Sequence, residues 1–218
     1  RKVNKMLIPL IKKDLTIVKG YTLGVIAIAF GLPLLLAWRQ PQMGGMISLL
    51  MSVLISSVAF NLAISEKENQ YPKATALLSS TPYTKGKVIV SKYALYFIIY
   101  VICCIAYLVE MQFVPELKLD NFAQTAALVF LIQAFGMGIF LPIQYKFGYE
   151  KTKFVCFLLF LSPVIIDITK GISVPSKLAL FMQLNPVVLA VVYGGVGICI
   201  WFISFALSKR IFNKKDLI

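Results

Sequence analysis

Residues 44–92 read GGMISLLMSVLISSVAFNLAI followed by SEKENQYPKATALLSSTPYTKGKVIVSK. The first 21 residues carry no charge, whereas the next 28 hold five lysines and two glutamates. An uncharged run of that length matches the ~20 residues with which a helix crosses a ~30 Å hydrocarbon core. The charged segment behind it is too short for a soluble domain and unusually long for a hairpin between two spans.

Working outward, similar apolar runs lie at 22–38, 93–114, 122–143, 154–169 and 185–207, which makes six spans with 44–64. The first is short and ends at Trp38, an interfacial anchor type, and the fifth holds Ser162 and Pro163, which should kink it. The connections are 5, 28, 7, 10 and 15 residues long. Residues 1–218 therefore read as a single transmembrane domain of the all-α class. Composition agrees: 59% of residues are hydrophobic and 14% charged, against about half and about a quarter in soluble domains. The mean hydropathy of +0.84 points the same way. A soluble enzyme, a disordered scaffold and a DNA-binding domain are excluded, despite a net charge of +13.

Topology accounts for that charge. Eighteen of the 22 Lys and Arg residues fall in the N-terminal tail, the 65–92 and 144–153 loops and the C-terminal tail. Only Arg39, Lys118, Lys170 and Lys177 lie on the other side. Positive charge stays inside, so both termini are expected in the cytoplasm, and no nucleic-acid partner is needed. The first apolar run follows a basic stretch without a cleavage site and should remain as a span. Before it, Leu7, Ile11, Leu15 and Val18 share one helical face, with Lys5, Lys12, Thr16 and Lys19 opposite. This predicts an amphipathic interfacial helix opening at Pro9, with a frayed basic tail as the alternative.

The chain has no histidine, which removes most metal sites and the usual nucleophile–base pairs. It also lacks a phosphate-cradling G-x-x-x-x-G-K-[ST] loop. No catalytic, cofactor or metal site is expected. Cys103, Cys104, Cys156 and Cys199 all sit in apolar runs and read as packing residues. Glu110 and Asp167 are the ionisable groups inside spans, placed toward the outer ends, where they either anchor at the interface or serve a pathway. Gly45, Ser48, Ser52, Ser56, Ala59 and Ala63 form a small-residue stripe on span two, with Asn61 beside it. Such a stripe packs helices closely, or lines a path or subunit interface. Gly194, Gly195 and Gly197 in span six, and Ala134 with Gly138 in span four, read as close packing.

In the 28-residue loop, span two should continue as helix through Glu66 and Glu68 until Pro72 stops it. KATALLSS then allows about two turns carrying Leu77 and Leu78, before a helix that takes Lys85, Lys87 and Lys92 into span three. A short helix across the ends of two spans is a docking element; a solvated loop with a stray apolar pair is the alternative.

The run EKENQYPKATALLSSTPYTKGKVIVSKY at 66–93 resembles the small six-span ABC type-2 permeases. LPIQYKFGYEKTK at 141–153, SKRIFNKKDLI at 208–218 and LIKKDLTIVKG at 10–20 are also similar, so the resemblance spans the chain. It looks like the membrane halves of bacterial exporters that expel amphipathic peptides such as phenol-soluble modulins, and like subunits conferring antimicrobial-peptide resistance. The resemblance implies a multi-pass protein of the bacterial cell membrane with an N-terminal elbow helix. It further implies a second permease copy or paralogue and separate ATPase subunits that bind ATP and Mg. A coupling helix would lie at 71–79, with Tyr71, Lys73, Ala74, Leu77, Leu78 and Ser79 meeting the ATPase. Ser48, Ser52, Ser56, Asn61 and Asp167 are candidates for the pathway or subunit interface. No cargo motif is present. Amphipathic peptide is the leading cargo, with lipid-like molecules or drugs as alternatives, and a non-exporting immunity or sensor subunit is the rival function.

The orientation is checked by labelling introduced cysteines with an impermeant thiol reagent in intact cells. Lys85→Cys and Lys214→Cys should be protected and Lys177→Cys labelled; labelling at position 85 would reverse the topology.

Overall fold

A computed structural model describes residues 4–39, 45–70, 85–148, 152 and 185–214. Among these, all regular structure is helical: α1 (Asn4–Ile17), α2 (Lys19–Arg39), α3 (Met46–Gln70), α4 (Lys85–Phe113), α5 (Phe122–Phe147) and α6 (Pro186–Lys214), with a 3₁₀ turn at Pro115–Leu117. Five of them, α2 to α6, are long and apolar enough to cross a membrane. They correspond to spans one to four and six. The expected fifth span, the 71–79 docking helix and Asp167 lie outside the described residues.

Helix ends follow local chemistry. Asn185 precedes Pro186, and its side-chain Oδ1 accepts the Val187 N–H at 3.1 Å, an N-cap followed by proline at the first helical position. Gly148 ends α5 with φ of 84°, a conformation open to glycine. As expected from the sequence, α3 runs on through Glu66 and Glu68 to Gln70. The other spans also outrun their apolar cores: α4 has 29 residues, ~44 Å at ~1.5 Å each, more than a ~30 Å core requires. Its first turns therefore project from one end of the bundle. That end also gathers α1 and the lysine-bearing ends of α5 and α6, and is called the basic end below.

α1 corrects one expectation. It begins at Asn4, with Pro9 inside the helix rather than at its start. Leu10 and Asp14 are its buried line, continued by Val18 just past its end and flanked by half-buried Ile11 and Leu15. The apolar face is thus turned slightly from the one expected, and it carries an acid in its centre.

α3 is the centre of the bundle, packed against α1, α2, α4 and α5. α2 buries Val25, Ala29, Pro33 and Ala37, one residue per turn, and packs on both α3 and α4, with Trp38 80% exposed. α5 and α6 form the tightest pair. A Cβ on Gly138 would stand 3.4 Å from Ile200 and Ser204, and one on Gly197 would stand 2.8 Å from the Phe130 ring. Gly194 and Gly195, expected to pack closely too, have no described atom within 4 Å. Ala134 is fully buried, as a close α5 contact requires.

Gly197→Val should lower the stability of the purified protein by about 1–3 kcal/mol, because the Phe130 ring must move. Gly194→Val, facing open space, should leave the thermal melt unchanged within error.

Candidate functional site

At the basic end, α3 closes and α4 opens the chain around residues 71–84, so whatever that segment does acts on these two helix ends. They are tied together. Lys92 Nζ donates to Glu68 Oε2 at 2.7 Å, with the side chains 11% and 26% exposed. The Lys92 ammonium also lies 6.0 Å from the centre of the Tyr145 ring on α5, which meets Phe212 of α6 edge-on. One lysine thus touches two helices besides its own.

Asp14 joins the same cluster from α1. Its carboxylate is 2% exposed and pairs with Lys13 at 3.0 Å. Burial pushes this carboxyl above the ordinary carboxylate range, and the charges of Lys13 and Lys92 pull part of the way back. α1 therefore lies against the bundle with a buried acid that resists ionisation.

Below the ion pair, polar side chains form a chain of hydrogen bonds from α5 through α3 to α4. Gln144 Nε2 donates to Ser65 Oγ, Ser65 Oγ to Asn61 Oδ1 at 3.1 Å, and Asn61 Nδ2 to the Tyr96 hydroxyl. Gln133 Nε2 donates to Ser57 Oγ at 3.0 Å and to the Tyr96 carbonyl at 3.3 Å. The Tyr93 hydroxyl bonds Ser204 and Ser208 of α6, and Ser204 donates to the Gly138 carbonyl at 2.7 Å. Inter-helix bonds of this kind contribute ~0.6 kcal/mol each in lipid, so it is their number that fixes the register.

The structure buries Ser48, Ser52, Ser56 and Asn61 inside the bundle. Ser48 Oγ donates to the Gly45 carbonyl at 2.8 Å and lies 3.2 Å from the Tyr107 hydroxyl, while Ser52 Oγ donates to the Ala29 carbonyl at 3.3 Å. The stripe thus faces α2 and α4. Cys103 is buried and Cys104 half-buried, as packing residues would be, but Cys199 is exposed. Glu110 is packed inside the bundle, 4% exposed. The sequence reading missed the pairing of Glu68 with Lys92 and the burial of Asp14. A signal existed for the first, opposite charges at the two helix ends that frame one loop.

A family model described as ABC-2 family transporter protein matches residues 9–213, nearly the entire sequence. The chain belongs to that family. It is a multi-pass membrane component of an ABC transporter, a family that implies an ATPase partner. No curated protein and no solved structure matches it. In this ABC-2 permease the polar cluster of Asp14, Glu68, Lys92, Gln144 and Tyr145 is the candidate site of force transfer. Among the described residues no group of acids and cysteines is arranged to hold a metal ion.

The Asp14 carboxyl gives the cluster a pH dependence of definite sign. Burial raises its proton affinity in the folded chain, so its ionisation opposes folding as pH rises through the folded value, and the opposition vanishes below the unfolded value of ~3.9. Asp14→Asn should therefore raise the melting temperature at neutral pH, and the gain should shrink to nothing as pH falls toward ~4. Melts of both proteins in detergent across that range test this.

Proposed function

We propose that the chain is the permease subunit of an ATP-driven exporter in the bacterial cell membrane, working as one of two permeases, identical or paralogous. ATP and Mg²⁺ are bound by separate cytoplasmic ATPase subunits. The basic end faces them, in keeping with the distribution of Lys and Arg. The observation that carries this reading is the Glu68–Lys92 bond at the root of the 71–84 segment, with Asp14 of α1 beside it. A push on a loop between two loose helices is lost in bending. A push on helices joined at their root moves both together, and the α5 contact of Lys92 carries the movement into the bundle. ATP binding alters transport only if the ATPase prefers one arrangement of the permease, and a docked loop supplies that preference.

Amphipathic peptide is the cargo that fits best. It enters sideways from the inner leaflet, needs no catalytic group, and tolerates the apolar surfaces that α2 and α6 leave open. Toxin export and antimicrobial-peptide resistance are both consistent with such cargo.

The coupling contact is proposed at Tyr71, Lys73, Ala74, Leu77, Leu78 and Ser79. A two-turn helix is marginal in water, so contact must hold it, and each leucine buried in an ATPase cleft contributes about 1.5–3 kcal/mol. Leu77→Ser with Leu78→Ser should leave the permease folded and in the membrane, yet abolish co-purification of the ATPase and peptide-stimulated ATP turnover. A variant that keeps both would move the coupling role to 144–153, with Phe147 and Tyr149 as the next contacts. Partner retained with no response to any peptide would favour lipid-like or drug cargo, or a sensor role.

A further inference from the structure

At the end of the bundle opposite the ion pair, Cys103, Tyr107 and Glu110 follow one another on a single face of α4, at 1%, 0% and 4% exposure. Tyr107 is well provided for. Its hydroxyl reaches the Gly45 carbonyl at 2.8 Å, the Leu117 carbonyl at 3.0 Å and Ser48 Oγ at 3.2 Å. Glu110 is not. Both of its carboxyl oxygens are fully buried and neither has a hydrogen-bond partner.

Among the described residues no charge compensates for this. α4 packs against α1, α2, α3, α6 and the 3₁₀ turn and meets α5 through Tyr96, Tyr100 and Tyr107; the one charged residue of α5, Lys146, lies at the basic end. The charged residues of α1, α3 and α6 all lie toward the basic end, as does Lys19 of α2. Arg39 at the near end of α2, and Glu116, Lys118 and Asp120 around the turn, are exposed. The titratable side chains on the same buried face of its own helix are Cys103 and Tyr107. An ionised carboxylate without donors or counter-charge is strongly disfavoured in such a place, and the group keeps its proton instead. Water is close by nonetheless: α4 ends three residues later at Phe113, about 4.5 Å along the axis.

We propose that Glu110 is a proton-operated latch on the outer opening of this permease. While α2, α3, α4 and the turn are packed together, the carboxyl carries its proton. When they part, the O–H bond breaks, the proton passes to water at the external face, and the carboxylate is hydrated. On closure a proton returns from the same face, so none crosses the membrane. Alkaline external medium favours the open arrangement, and the open-to-closed ratio changes by at most about tenfold per pH unit for one proton. The inference rests on the permease reading for which face is outside, but not on ATPase docking.

The test uses the full chain in cells, with the four native cysteines changed to alanine. Ala37→Cys, on the buried side of α2 near this end, reports opening to an impermeant thiol reagent, and exposed Lys118→Cys normalises for thiol ionisation. Normalised labelling should rise at least about threefold between external pH of about 5.5 and about 8.5. Glu110→Gln should be flat at the low level, and Glu110→Asp should restore the rise. In the unaltered chain, a lipophilic carbodiimide, which attacks protonated carboxyls, should modify Glu110 at acidic pH as read by mass spectrometry. A flat profile in the parent, a slope that survives in Glu110→Gln, absence of the adduct, or failure of Lys118→Cys to label from outside would each overturn the latch. Loss of the ATPase partner in the Leu77, Leu78 variant leaves these readings unchanged, which separates the two proposals.

Discussion

Inside a bilayer core no water is available, so every hydroxyl, amide and carboxyl that enters it must find its partner within the protein or remain unsatisfied. That constraint organises this structure around α3. Helix α3 carries Ser48, Ser52, Ser56, Ser57, Asn61 and Ser65, all buried, and neighbours are placed where they can answer all but Ser56: Tyr107 and Tyr96 from α4, Gln133 and Gln144 from α5, the Ala29 carbonyl from α2. Apolar contact with lipid is nearly as favourable as apolar contact with another helix, so packing area alone would not choose among arrangements. Polar bonds at fixed heights do choose. They set which helix is central and in what register the others lie against it.

The same constraint makes the two ends of the bundle different. At the basic end the polar demand is met with charge: Glu68 and Lys92 join, Tyr145 covers the ammonium, and Asp14 is drawn in from α1. At the opposite end the demand is met around Tyr107 and left open at Glu110. A firmly bonded end is suited to receiving force and an incompletely satisfied end to giving way. This polarity is what a permease driven from one face needs. The movable part of such a device is drawn from the region with the fewest satisfied contacts, because local opening costs least there.

The α5–α6 pair adds a second, apolar organising element. Gly138 and Gly197 let the two backbones approach until ring and backbone touch, and the Ser204 bond to the Gly138 carbonyl lies within that contact. Tyr93 reaches across to Ser204 and Ser208 and stacks edge-on to Trp201 and Phe205. The pair is thereby joined to α4 just one residue beyond Lys92, so the helix that roots the loop also carries the link to α6.

The sequence by itself determined the helical class, the positions of the five described spans, the extension of α3 past Glu68 and the helix before the first span. These follow from local quantities: apolar length against bilayer thickness, proline and glycine at helix ends, lysine at one set of ends. It also marked Ser48, Ser52, Ser56 and Asn61 as special, because polar residues in an apolar run are conspicuous. Tertiary structure alone decided what each of them meets. Whether a stripe faces a neighbour, a path or lipid depends on the rotation of its helix, and hydropathy that is nearly uniform around α3 leaves that rotation undetermined. For the same reason the sequence does not single out Asp14, and it leaves Glu110 between an interfacial anchor and a pathway residue. Both are buried because neighbouring helices, remote in sequence, close over them. The bond between Glu68 and Lys92 spans 24 residues, and only the packing of two helix ends brings it within 2.7 Å.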